Sequence, residues 1–205
     1  MDTATAITTR RSIKHFDPEH RMTRAEIEQL LTLTCHSPTS FNIQHWRFVV
    51  VDDVELRRQM RKVAWNQAQI TDSSVLVVLC ADVHAWDKQP ERYWQHVAEP
   101  VRQFMVPAIG QHYRGQEQLQ RDEAFRSCGI AAQTLMLAAK EMGYDTCPIA
   151  GFNVAAVADL IHLPNNHLVT LIIAVGKPLQ PPWPAGSRLP LEQCVFYNRF
   201  PDSLP

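Results

Sequence analysis

Two apolar runs constrain this chain most. SSVLVVLCAD, residues 73 to 82, and HLVTLIIAVGKP, residues 167 to 178, are apolar almost without a break. A strand with one wet face alternates apolar and polar residues, whereas a continuous run of this length reads as a strand buried on both faces. Other elements must therefore cover each run from both sides, which implies a small apolar sheet inside a mixed domain. A third run, WRFVVVDD at residues 46 to 53, is rich in β-branched and aromatic residues and predicts another strand.

Helical signals fill the intervals. Thr23 followed by Glu26 forms a capping box, and Ile27, Leu30, Leu31 and Thr34 then follow helical spacing up to Ser37-Pro38. A polar helix is expected over roughly 53 to 68. Residues 122 to 142, rich in Ala, Leu and Met, predict a central helix packed all round, with Gly143 as its C-terminal cap. Asn153 can cap a further helix that stops at Pro164. Residues 86 to 120 read as helix interrupted at Pro90, Pro100 and Pro107. The tail PPWPAGSRLPLEQCVFYNRF holds too many prolines for a regular element in its first half, yet it carries Val195, Phe196, Tyr197 and Phe200. A tail that apolar covers something. The expected order is helix, strand, helix, strand, helices, helix, strand and tail, an α/β (α+β) chain whose residues 1–205 form one domain.

Several function classes fall away on composition. The formal net charge is −1, so no overall basic field draws in nucleic acid or an anionic membrane. No apolar run approaches the ~20 residues of a membrane helix, and MDTATAITTRR lacks the apolar core of a targeting peptide. Five cysteines, odd in number and without a CxxC pair, argue for reduced thiols in a cytoplasmic protein. The nine histidines show no HxxxH spacing, and no metal site is expected. GxGxxG, GxxxxGK[ST], GxSxG and HExxH are all absent, and no paired carboxylates stand out. Any chemistry then falls to a bound cofactor rather than to side chains.

Two polar stretches remain. TRRSIKHF offers Arg10, Arg11, Ser12 and Lys14, which can grip an anion or simply form a solvated basic helix end. SPTSFNIQHW, residues 37 to 46, offers Thr39, Ser40, Asn42 and Gln44 just before a strand. It reads either as a ligand-binding loop or as a plain turn.

Taken together, TRRSIKHFD and SPTSFNIQHWRFVVV resemble the paired signature of the FMN-dependent nitroreductase family. WNQAQITDSSVLVVLCAD, CPIAGFN and SRLPLEQCVFYNRF resemble further family segments, in family order, so the resemblance spans residues 7 to 200. It implies a nitroreductase-like fold, with a small, mostly antiparallel central sheet flanked by helices and a C-terminal tail packed on a partner subunit. It also implies a homodimer with FMN sites at the interface. Arg10, Arg11, Ser12 and Lys14 match the segment that holds the phosphate, the ribityl chain and the N1/O2 side of the flavin, where Lys14 stabilises the charge of reduction. Pro38, Thr39, Ser40 and Asn42 match a segment reaching FMN from the partner. Asn66 matches a contact to the flavin's pyrimidine edge, and Gln69 stands where some members carry Lys. Ile149, Ala150 and Gly151 match the loop beside flavin N5, and Arg188 matches a late basic residue at the phosphate. Gly186, where some members have a basic residue, and His45, where Pro is usual, depart from the pattern.

The implied reaction is ping-pong hydride transfer from NADH or NADPH, by way of flavin N5, to a small-molecule acceptor such as a nitroaromatic or quinone. A narrower substrate (an enone, a halogenated phenol, an azoline) or flavin binding without turnover are the alternatives. Phe41, Trp46 and Phe104 read as core or channel lining. Trp65 is open between core and ligand contact, and Tyr93 and Trp94 are candidates for stacking on a substrate.

Overall fold

The two apolar runs lie side by side at the centre of a sheet. The computed structural model describes residues 1–201. Strands β1 (Trp46–Val51), β2 (Val75–Asp82), β3 (Asp145–Ile149) and β4 (His167–Gly176) are ordered β1-β2-β4-β3, and each neighbouring pair is antiparallel. Every residue of β2 is buried, and its side chains alternate between two cores. Leu76, Val78 and Cys80 pack with Met60, Ile70 and Val157, from helices α3 (Val54–Lys62), α4 (Gln69–Asp72) and α7 (Val154–Leu160). Val75, Val77 and Leu79 pack with Leu30, Leu135 and Ala139, from α2 (Arg24–Thr34) and α6 (Glu117–Glu141). Burial of each such Val or Leu is worth about 1.5–3 kcal/mol, so this double-sided strand stabilises the sheet from both faces. A bulge between Leu79 and Cys80 is closed by Thr170, whose Oγ1 donates to the Leu79 carbonyl at 2.9 Å.

The caps form where the sequence puts them. Thr23 and Glu26 exchange both bonds of the capping box. Asn153 Oδ1 accepts from the Ala156 N–H at 3.1 Å and starts α7. Gly143, with φ +79°, takes the chain out of α6 in a conformation that glycine adopts freely. Ala124, Cys128, Ala131, Ala132 and Ala139 on α6 are small and buried, which lets that helix lie close against the sheet.

The structure departs from the expected order in three places. Helix α1 (Thr3–Thr9) was not expected, because four of its seven residues are threonine, a modest helix former. Asp2 starts it, accepting from the Thr5 N–H at 2.9 Å. Strand β3, DTCPI, is a fourth strand in a segment read as a loop. A proline is tolerated there because β3 is an edge strand. Helix α3 ends at Lys62 rather than near 68, and Trp65 and Asn66 follow with φ of +53° and +54°.

The proline-interrupted region is short 3-10 turns at Ala85–Asp87 and Pro90–Tyr93, then α5 (Glu99–Tyr113), which tolerates Pro100 in its first turn and contains Pro107. Buried Asp82 ties this excursion to the sheet. It accepts from Lys88 Nζ at 2.6 Å, Asn166 Nδ2 at 3.2 Å, Arg47 at 3.3 Å and the His84 N–H at 3.1 Å. Burial alone would raise its pKa, but Lys88, His167 and the His84 N–H outweigh that and hold the carboxyl below its usual range. Residues 178–201 run across the surface with almost every side chain exposed, Trp183, Leu191, Tyr197 and Phe200 among them. Among the described residues, no helix is long and apolar enough to cross a membrane.

Candidate active site

The basic stretch is pinned by its backbone, and its cationic side chains have different partners. Ser12 bridges to Thr146 in parallel, and the Ile13 N–H donates to the Thr146 carbonyl at 3.0 Å, so the segment covers the open edge of β3. Ile13 and Phe16 are buried on either side of Lys14. Arg10 caps the end of α1 and has a buried Nη1 with no hydrogen-bond partner among the described residues. Thr146 Oγ1, on the adjoining strand, is also buried and unpartnered. A buried unpaired donor on a cation costs several kcal/mol unless something negative or strongly accepting meets it. Arg11 behaves differently. Its Nη1 folds back onto the Thr8 and Arg10 carbonyls at 2.8 and 2.9 Å, and so serves the C-terminus of α1.

A chain of contacts joins Lys14 to the other matching segments. Lys14 Nζ lies 3.6 Å from Cys147 Sγ, and buried Gln69 reaches the same sulfur from Nε2 at 3.9 Å. Burial pushes the Cys147 thiol up, opposed by Lys14, so the thiol stays neutral beside the cation. Gln69 Nε2 also donates to Gln67 Oε1 at 2.8 Å, and Gln67 Nε2 donates to the Gly151 carbonyl at 2.9 Å. Lys14, Gln69, Ile149 and Gly151 thus converge on one side of β3, with Ala150 exposed between the last two. Asn66 stands close by at the left-handed turn after α3, its Oδ1 accepting from Arg61 Nε at 2.8 Å. The Trp65 ring lies on Gly151. A Cβ there would come within 2.4 Å of the indole, so glycine is needed for the approach. Trp65 itself is 79% exposed and is not a core residue.

The second stretch sits at the opposite edge of the sheet, on the approach to β1. Thr39 Oγ1 accepts from the Gln44 N–H at 3.0 Å, and Asn42 Nδ2 donates to the Tyr93 carbonyl at 3.4 Å. Ser40 opens a 3-10 turn, its carbonyl accepting from the Ile43 N–H at 3.1 Å. Phe41, Asn42 and Gln44 all have φ between +51° and +55°, a concentration of backbone strain typical of functional loops. Pro38 and Asn42 are exposed. His45 is fully buried, with Nδ1 3.1 Å from Ser127 Oγ, and burial lowers its pKa to about 4. A neutral imidazole therefore anchors the loop to α6 at the position that departs from the family pattern. The structure brings Arg10, Ser12, Lys14, Gln69 and residues 149–151 together, and leaves Pro38, Thr39, Ser40 and Asn42 across the sheet from them.

Arg188 lies on the exposed tail, its Nη1 bonded among the described residues to the nearby Gly186 and Ser187 carbonyls. Of the aromatic candidates, Trp46 and Tyr93 are buried core, Phe41 packs against His112 and Tyr113, and Phe104 is 74% exposed on α5. Sequence reasoning missed Arg61, Gln67, Thr146 and Cys147. Gln67, between the two matched positions Asn66 and Gln69, was the one with a signal to find it.

Known proteins resemble this chain over most of its length. The family model described as "Nitroreductase family" matches residues 7–177. DrgA of Synechocystis sp. is 51% identical over 177 residues, covering 86% of this chain and 84% of that protein. YodC of Bacillus subtilis, named as an NAD(P)H nitroreductase, is 32% identical and covers 94% of this chain and 96% of its own. A structure from Exiguobacterium sibiricum, described as a nitroreductase in complex with FMN, superposes with a TM-score of 0.90 at 28% identity, covering 97% of this chain and 98% of the other. The family-model match and the identity to DrgA and YodC establish that the chain belongs to the nitroreductase family of enzymes.

Proposed function

We propose that the protein is a homodimeric FMN oxidoreductase that takes electrons from NADH or NADPH and delivers them to a nitroaromatic, a quinone or a similar small acceptor. The observation that carries this reading is the buried Arg10 Nη1, unpartnered among the described residues, beside a Lys14 that meets a neutral thiol. A phosphate-bearing flavin meets both needs, and the residues present fit it. Arg10 and Ser12 would hold the phosphate and ribityl chain, and Arg188 would reach the phosphate from the tail. Lys14 would face the N1/O2 side. Asn66 and Gln69 would meet the pyrimidine edge, and residues 149–151 would lie along N5. When bound, FMN supplies ping-pong hydride chemistry at N5, accepting two electrons from the nicotinamide and passing them on.

The chain's own part is orientation and charge. Lys14 places a cation where negative charge accumulates. Gln67 and Gln69 hold the Gly151 carbonyl and the Cys147 sulfur, which fixes the loop against which both substrates would stack.

Two observations support the dimer. The tail carries the exposed apolar side chains Trp183, Leu189, Leu191, Tyr197 and Phe200, which a partner surface would cover. The outer edge of β1 is also unpaired among the described residues. A second copy's tail covers both, and brings a partner's residues 38–42 to the Arg10 side. The free thiols, three of them buried, fit a reducing cytoplasm.

An absorbance spectrum of the purified protein from 300 to 550 nm tests the reading. Flavin bands near ~450 nm that bleach on anaerobic NADPH or NADH are expected. Bands that persist with both donors contradict turnover, and a protein that gains no bands with added FMN contradicts the assignment.

A further inference from the structure

The Asn66 side chain has an acceptor end and a donor end, and its surroundings determine which is free. Arg61 Nε lies 2.8 Å from Asn66 Oδ1. A guanidinium only donates, so the amide atom facing it must be the oxygen. Arg61 is held in turn, its Nη1 donating to Thr71 Oγ1 at 2.8 Å, and that hydroxyl lies 2.7 Å from Asp72 Oδ1. The grip is two-sided, because the Asn66 N–H donates to the Arg61 carbonyl at 3.0 Å. The peptide turn at φ +54° and the side-chain bond therefore fix backbone and amide together. Residue 66 is exposed, and Nδ2 is the end left to face a ligand.

We propose that Arg61 is a positioning residue that makes Asn66 a dedicated hydrogen-bond donor. This rests on the FMN reading of the site. Asn66 Nδ2 then meets a carbonyl oxygen of the flavin's pyrimidine ring and not its N3–H, since a donor facing a donor gains nothing. A donor whose amide is polarised by a cation also strengthens as its partner gains charge. Reduction puts negative charge on that ring, so the Arg61–Asn66 pair favours reduced over oxidised flavin. The pair thus adds to the effect of Lys14 from a different side of the ring.

The test is a double-mutant cycle read on the flavin itself. Arg61→Ala, Asn66→Ala and the double variant are compared with wild type by FMN titration of the apo-protein and by the midpoint potential of the bound flavin. The expected result is that Arg61→Ala lowers the preference for reduced flavin about tenfold, that Asn66→Ala does the same, and that the double variant is no worse than Asn66→Ala alone. Arg61→Lys, which keeps a donor-only cation, recovers most of the loss and guards against a variant that merely folds poorly. Equal losses from Arg61→Ala with and without Asn66, or an unchanged potential in Arg61→Ala, overturn the inference while leaving the FMN reading intact. A wild-type protein that binds no FMN overturns the reading, and this inference with it.

Discussion

Residues 10–14 and residues 38–44 are both polar stretches beside a strand, and the fold treats them in opposite ways. The first is fixed by backbone bonds to β3, and its side chains at 10 and 14 have a buried nitrogen without a partner and a thiol contact. The second commits its side chains to its own turn and to Tyr93, and stores strain in three left-handed residues. One offers charge and the other offers shape. They lie on opposite edges of the sheet, and in the proposed dimer each would be half of a site whose other half comes from a second copy.

Changes on each side should separate these roles. The largest effect is expected at the shaped half. His45 keeps a folded pKa of about 4 against an ordinary 6.5. The unfolded chain binds more protons between those values, so the contribution of His45 to stability is complete above pH ~6.5 and declines as the pH falls towards 4. The loss comes to about 3 kcal/mol. Urea unfolding between pH 7 and 4 should show the decline, and His45→Gln should flatten it.

At the charged half, Arg10→Ala should weaken FMN binding by about 2 kcal/mol, roughly thirtyfold. Titration of apo-protein measures it, and Arg188→Ala should also reduce retention. If both variants keep a full flavin load, the phosphate assignment is wrong. Lys14→Ala should slow flavin reduction about tenfold with a smaller effect on FMN affinity, and stopped-flow bleaching at full rate would remove the proposed charge role. The smallest effect is expected at Gly151. A Cβ there strikes the Trp65 ring, but the ring is exposed and can swing aside, so Gly151→Ala should cost about 1 kcal/mol in thermal unfolding. Adding Trp65→Ala should restore it.

The same contrast explains what was legible in the sequence. β2 and β4 announce themselves because burial on both faces demands unbroken apolar runs. Caps at Thr23, Gly143 and Asn153 are local chemistry and could be placed to the residue. β3 could not, since an edge strand needs neither apolar continuity nor a full set of N–H donors, and DTCPI has neither. At the candidate site, the resemblance pointed to Arg10, Lys14, Gln69 and Gly151, which the fold brings near one another, while sequence physics left the basic stretch open between a grip and a solvated helix end. Cys147, which meets both Lys14 and Gln69 across 133 and 78 residues, had no local signal. Arg61 has no signal in the sequence beyond a cation on a polar helix, and its 2.8 Å contact with Asn66 appears only in the fold.

The central claim is that each FMN site takes its charged half from one copy and its shaped half from the other. Mixed dimers test it most directly. Arg10→Glu should empty both sites of a homodimer by repelling the phosphate, and Ser40→Glu should do so by placing a carboxylate in the partner's loop. In a dimer with one chain of each kind, isolated by two affinity tags, one site collects both defects and the other collects none. The account predicts that such mixed dimers regain about one FMN per dimer, as two halves contributed in trans require. Mixed dimers as empty as either parent would show that both stretches act within one chain, and would contradict the account.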